Sequence, residues 1–489
     1  MSDTHRTMSA EDHSSADGAA PDVGGTSGTA DRTTKTGAVS RARAAQTWLF
    51  GLHPVIQWTL VSLGFVLLAG VLAAKYIPAH PAMSRADEWV YIDAVDKASH
   101  GEITRMGALI DEYSLELISC RGIELFGPMG SPCEGPIVQS EYPYEGGRTS
   151  ADIHSPVYFF ITAWTAKLIM PVLDISDLLT GARLTGAIWL GLGLAATVAL
   201  ARNLGASRTA SAAVAFMLLG STMVRWTNTY VTPDAFNILA GALLALAAVK
   251  YVRSEWRAWP LLVLSGIAVA IKAQNLFAVG LAALVLLVIA VVRWRDESVD
   301  SKRMIGVGLG AGVIAVVVQA GYLKLREVWA IGEVPIIDAV LTVDPWTAYS
   351  QTTVFMEGII LGPDQGWLPG LNAAATTGAL PSIMPIHVSW LLIGGLIAAS
   401  LFVRNLTLIQ SVFARSTLFA LLFGAPLLYV VLFFVNGQTF ALPQRYGVVL
   451  LPAFAVVTAI VADRRWVAWG LLAIGVATYG EAVVHYSLR

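Results

Sequence analysis

The sequence predicts an all-α, polytopic helical membrane protein with about 11 transmembrane helices. Three observations carry that reading. Of 489 residues, 55% are hydrophobic and only 13% are charged, where a soluble chain is about 25% charged. The mean hydropathy is +0.63. Apolar runs of about 20 residues, the length that crosses a bilayer, recur along the chain. Basic residues then gather in every second connection, as the bias toward the cytoplasmic side requires. The net charge of −2 offers no bulk attraction to nucleic acid. Cys120 and Cys133 are the only two cysteines, too few for a cysteine-built metal cluster.

Residues 1–47 are rich in Ser, Thr, Gly, Ala and Asp and hold no aromatic side chain. Such a segment cannot bury enough apolar surface to offset its ordering entropy, so it is expected as a disordered cytoplasmic tail. The membrane domain comes next, over 48–489. Its first span is about 54–76. The stretch from Ile77 to Ile153 carries thirteen acidic residues against five basic ones, which suits the outer side. The next apolar run, Ser155–Leu173, holds Lys167 in its middle and Tyr158, Phe159, Phe160 and Trp164 on its length. If it crossed, Arg202, Arg208, Lys250, Arg253 and Arg257 would all fall outside, against the charge bias. It is therefore expected to lie along the outer interface. The remaining spans are about 183–201, 209–225, 233–250, 259–274, 276–292, 304–323, 388–403, 416–436, 446–462 and 466–484. Outer loops are expected over about 77–182 and 324–387. The N-terminus is placed in the cytoplasm of a plasma-membrane protein.

The outer ends of these spans carry the chemistry. Asp87 and Glu88 come after span one, and two adjacent carboxylates there can act as general base or hold a metal. His154 stands before Pro156, at the mouth of the interfacial helix. Asp234 opens a span, Lys272 breaks an apolar run, and Arg445 precedes Tyr446 at the start of another. Taken singly, each also fits a solvated loop, a helix start or a snorkelling side chain. Together, two cations, a histidine and three carboxylates project from one face. Charges at membrane depth are costly and usually face a cavity or partner. No P-loop, Rossmann fingerprint or zinc-protease motif is evident. An enzyme working outside without nucleotide needs an activated, membrane-borne substrate. Cys120 and Cys133 lie on the same side, either bridged or as two free thiols.

The order of these residues resembles the GT-C glycosyltransferases, the group of the protein O-mannosyltransferases and the aminoarabinose transferases, with related bacterial membrane proteins. The resemblance rests on Asp87-Glu88, His154-Ser-Pro156-Val-Tyr158, Ala182-Arg183-Leu184, Pro233-Asp234, Lys272 and Arg445-Tyr446 with Leu451-Pro452. It runs from about 54 to 462. Ser155 stands where the first of two prolines is usual. The resemblance implies transfer of a sugar from a polyprenyl monophosphate to a glycan, lipid or protein acceptor outside the plasma membrane. Asp87 would be the general base, with Glu88 its neighbour or substitute. His154, Lys272 and Arg445 would meet the donor phosphate, and Asp234 would orient a cation or a sugar hydroxyl. Trp346, Tyr349 and Trp367 offer sugar-stacking faces or an interfacial belt. The sequence requires no cofactor, leaves room for a divalent cation without naming its ligands, and predicts membrane lipid but not nucleic acid as a partner. The alternatives are a transporter or flippase of a lipid-linked glycan, or a non-catalytic protein of envelope assembly.

Overall fold

The computed structural model describes residues 53–84, 87–124, 126–130, 133–138, 145–296, 300–332, 342–361, 383–436, 439, 442–462 and 464–485. The expected tail, Arg85 and Trp367 lie outside them. By internal packing the chain divides after Gln57, within the first turn of the helix Pro54–Ala79, and every later helix belongs to the unit Trp58–Arg489.

Among the described residues the protein is all-helical, with isolated bridges in place of strands. The helices are α1 (Pro54–Ala79), α2 (Glu88–Ser99), α3 (Glu112–Arg121), α4 (Val157–Val172), α5 (Leu178–Asn203), α6 (Arg208–Gly220), α7 (Thr222–Thr229) and α8 (Asn237–Val252). They continue as α9 (Trp259–Ile271), α10 (Leu276–Val292), α11 (Ser301–Val328), α12 (Pro345–Leu361), α13 (Ile383–Leu401), α14 (Leu408–Asn436), α15 (Leu451–Val461) and α16 (Arg465–His485). Short 3-10 turns at Pro233–Phe236, Ala273–Asn275 and Gln444–Leu450 lead into α8, α10 and α15.

All eleven expected spans fall on helices. Among the described residues eight helical segments are long and apolar enough to cross a membrane, and the other three spans fall on shorter apolar helices, α6, α9 and the apolar part of α13. The run expected over 209–225 is cut at Ser221, whose extended backbone ends α6 and starts the polar helix α7. The run 259–274 stops at Ile271 because Lys272 is also extended, with φ −154° and ψ 125°. Each break frees backbone at the edge of an apolar segment, where buried polar side chains collect.

The run at 155–173 forms α4, and the residues flanking it on both sides meet the first long connection, His154 through Tyr91 and Asp177 through Arg121. Asp177, which caps α5, binds Arg121 of α3 at 2.8 Å. Lys167, in the middle of α4, donates to the Ser99 carbonyl at the end of α2. A crossing would have carried Asp177 away from that connection. The first long connection is not the bare loop that its polarity suggests, since it folds α2 back onto α4 and α5, with α3 packed on α2. Cys120 of α3 is bridged to Cys133.

The core packs by close backbone approach. A Cβ on Gly241 of α8 would overlap the Val449 carbonyl, and one on Gly193 of α5 would press on α8. Small residues at such crossings let helices meet where no hydrophobic gain separates lipid from protein. These contacts set α5, α8 and the turn before α15 side by side, and so bring Arg183, Asp234 and Arg445 to one place.

Candidate active site

Asp87 and Glu88 are neighbours in sequence with opposite surroundings. Glu88, the first residue of α2, is fully buried. Its Oε1 accepts from Arg183 Nε at 2.8 Å and from the Val231 amide at 2.8 Å. Its Oε2 accepts from Arg183 Nη2 and the Ser84 amide, both at 2.8 Å. Arg183 spends its other donors on the carbonyls of His80 and Ala82 and lies over the Tyr230 ring at 4.8 Å. The pair is two-pronged, and it ties the end of α1, the start of α2, α5 and the approach to α8 into one knot. A carboxylate with every lone pair engaged has no site left for a substrate proton. The expectation that Glu88 substitutes for its neighbour finds no geometric footing here.

Asp87 has a left-handed backbone, φ 68° and ψ 2°. Asp tolerates this region better than most residues, at a cost of about 1–2 kcal/mol. Its carbonyl starts α2 by accepting from Val90 and Tyr91, which leaves the carboxylate outside the helix and 40% exposed. Arg445 holds it on one side through Nη2. On the other side the Tyr91 hydroxyl, one helical turn on, stands 3.5 Å away. The same hydroxyl is 3.1 Å from His154 Nε2.

Arg445 continues the chain of charge. Its Nε lies 3.1 Å from Asp234 Oδ2. Asp234 is fully buried, receives Thr232 Oγ1 at 3.0 Å and Asn237 Nδ2 at 2.9 Å, and pairs with Lys272. Lys272 is buried above the Tyr446 ring, 5.6 Å from its centroid. The quartet therefore alternates Asp87, Arg445, Asp234, Lys272. Lys272 Nζ and Arg445 Nε touch their carboxylates without well-formed hydrogen bonds. Both cations are neutralised yet keep donor capacity, which an incoming anion can use.

His154 is buried at the edge of the quartet, and its Nδ1 has no hydrogen-bond partner. Burial, helped by the charge of Lys272, holds the imidazole well below its usual pKa, so the ring is neutral. Burial and the Asp87 charge push the Tyr91 phenol well above its usual range, so it stays a hydroxyl.

Five of the six predicted residues thus form one network, and Glu88 anchors it from behind. Tyr91, one helical turn after Asp87 on the same face, was legible only once α2 was known to be a helix. Trp346 and Tyr349 form an exposed pair on α12 with ring centroids 6.2 Å apart, outside the quartet. Among the described residues no three His, Cys, Asp or Glu side chains converge as a metal would need, and the carboxylates of the quartet are bridged by cations instead.

The family described as dolichyl-phosphate-mannose-protein mannosyltransferase matches residues 154–320. No curated protein matches the chain. The chain is also similar to two solved structures, both of ArnT from Cupriavidus metallidurans. The one bound to undecaprenyl phosphate is 16% identical, with a TM-score of 0.44 over 86% of this chain and 63% of that one. The apo form is 14% identical, with a TM-score of 0.45 over 87% and 63%. The chain thus spans about 63% of the length of these solved proteins. The matched segment begins at His154 and includes Arg183, Asp234 and Lys272, so over residues 154–320 this chain is similar to that family.

Proposed function

We propose that the protein is a membrane glycosyltransferase that moves a sugar from a polyprenyl monophosphate to an acceptor hydroxyl. The observation that carries this reading is the quartet Asp87–Arg445–Asp234–Lys272, with a part-exposed carboxylate at one end and a buried ammonium at the other. The matched family is named for a mannose carried on dolichyl phosphate, a donor of this chemical class.

In the proposed reaction the acceptor hydroxyl gives its proton to Asp87 as its oxygen bonds to the anomeric carbon. The bond from that carbon to the phosphate oxygen breaks, and its electron pair leaves with the polyprenyl phosphate. The phosphate gains negative charge in that step. Lys272 and Arg445 stand ready to meet it, in a site with little water to screen them. Asp234 holds both cations in place. His154, neutral, offers its free Nδ1 to a phosphate or sugar oxygen. Glu88 and Arg183 fix the backbone that presents Asp87. The end of the bundle bearing the quartet faces outward in this reading, because Arg202, Arg208, Lys250 and Arg253 lie at the opposite ends of their helices.

The test is to incubate the purified protein with a panel of radiolabelled polyprenyl-phosphate sugars and candidate glycan, lipid and peptide acceptors. A labelled acceptor and free polyprenyl phosphate are expected in equal amounts. Movement of intact lipid-linked sugar across a vesicle membrane, with no labelled acceptor from any pair, would replace the transferase by a transporter.

A further inference from the structure

The segment that carries His154 has little structure of its own. A single 3-10 turn, Ala151–Ile153, gives way to extended backbone at His154, with φ −99° and ψ 144°. Two of its carbonyls, those of Asp152 and His154, receive one donor in common. The Tyr322 hydroxyl lies 2.6 Å from each. One helical turn later on α11, Arg326 Nε pairs with Asp152 Oδ2 at 2.5 Å. The Asp152 side chain is 1% exposed and its Oδ1 has no partner. Burial raises the Asp152 carboxyl above its usual pKa against the pull of Arg326.

Tyr322 and Arg326 stand four residues apart, on one face of the last turns of α11. Just beyond, the Ile331 amide donates to the Met106 carbonyl at 2.9 Å, tying the exit of α11 to the first long connection. From other sides Tyr91 holds the imidazole of His154, and Ser155 Oγ donates to the carbonyl of Ala270, two residues before Lys272. Of the three elements gripping this segment, α11 alone has no quartet member next to it, since Asp87 directly precedes α2 and Lys272 directly follows α9. Helix α11 grips only backbone and the Asp152 carboxylate. Both residues lie beyond the matched segment, which ends at 320.

We infer that Tyr322 and Arg326 are positioning residues that set the place of His154 against the donor phosphate. This rests on the proposed role of His154 in phosphate binding. Tyr322 fixes the two carbonyls on either side of Ile153, and Arg326 keeps the Asp152 carboxylate, and with it the turn, from moving toward solvent. The end of α11 is also where the second long connection begins, so any change there reaches His154 through these two side chains.

The test uses the full-length protein in three forms besides wild type: Tyr322→Phe, Arg326→Ala, and Arg326→Ala combined with Asp152→Asn. The double variant removes the stranded buried charge, and so separates loss of fold from loss of position. Two readouts are taken. One is the rate of His154 modification by diethyl pyrocarbonate, tracked by mass spectrometry, because the neutral and buried ring is protected while it is held. The other is binding of a polyprenyl monophosphate in mixed micelles. In Tyr322→Phe and in the double variant, modification is expected to rise and binding to weaken roughly tenfold each, the worth of one strong hydrogen bond, with thermal unfolding near wild type. Modification at the wild-type rate in both would overturn the inference. If His154→Ala binds polyprenyl monophosphate as wild type does, the phosphate role of His154 falls, and the modification rate alone still decides the positioning.

Discussion

Two carboxylates one residue apart divide the labour of this end of the bundle. Around Glu88 every oxygen lone pair and nearly every guanidinium donor of Arg183 is engaged, and nothing is exposed. Around Asp87 the backbone is left-handed, the carboxylate is 40% exposed, and cations down the chain hold unspent donors. Full satisfaction gives rigidity and removes reactivity, whereas partial satisfaction leaves groups that can change partners. The saturated knot makes the unsaturated one possible, because it fixes the strained residue beside it.

Breaking the knot gives the largest loss of stability. Glu88→Gln leaves Arg183 buried without a counter-charge, and losing one partner of a buried pair costs about 3–5 kcal/mol. Thermal unfolding in detergent is expected to show it, with the surviving folded fraction still turning over. Lys272→Ala acts on the other region. It is expected to weaken binding of the donor roughly 10- to 100-fold, the worth of a charged hydrogen bond, with a smaller effect on unfolding; Arg445→Ala should do the same. Equal effects of Glu88→Gln and Lys272→Ala on both readouts would erase the distinction.

A smaller effect belongs to Asp93 in α2. Burial pushes its carboxyl from 3.8 up to about 6, although Lys97 lies at 2.7 Å. The folded protein therefore holds this proton more tightly than the unfolded chain does. Its contribution is fully present below pH 3.8 and is lost as the pH rises through about 6. Unfolding temperature measured from pH 4 to 6 is expected to fall more steeply in wild type than in Asp93→Asn. The quartet lies apart from this pair, so donor binding in Asp93→Asn should stay close to wild type.

The spans were legible because a bilayer-length apolar run is a one-dimensional signal, and α1, α5, α10 and α11 track it closely. That α4 lies against the first long connection fits the charge pattern of Arg202, Arg208 and Asp177, which disfavours a crossing there. Asp87, His154, Asp234, Lys272 and Arg445 were legible as charges at the ends of apolar runs, which lipid does not tolerate without a reason. The role of Glu88 was not, because its partner Arg183 lies 95 residues away and only the packing of α5 brings it near. Tyr322 and Arg326 were hidden for the same cause: they meet backbone and a carboxylate some 170 residues earlier. Helices α2 and α3 escaped because their polar faces dilute any apolar period, and their packing is tertiary: α2 lies against α4 and α5, and α3 against α2.

Sidedness is open to a simple check. An impermeant thiol reagent applied to intact cells should fail to label Gly205→Cys, in the turn after α5 that sits between Arg202 and Arg208. Labelling there would turn the quartet toward the cytoplasm and leave the charge asymmetry without meaning.

In the proposed division Asp87 reacts while Glu88 holds, and a single turnover separates the two roles. Asp87→Asn and Glu88→Gln, matched for folded fraction, are loaded with a labelled polyprenyl-phosphate sugar, and transfer to the acceptor is timed. Asp87→Asn is expected to unfold near the wild-type temperature yet to transfer about 10²–10⁴-fold more slowly, the usual loss for a general base, while folded Glu88→Gln, which loosens Asp87 without removing its carboxylate, loses far less of its rate. Rapid transfer by Asp87→Asn, with transfer lost in folded Glu88→Gln, would contradict this division of roles.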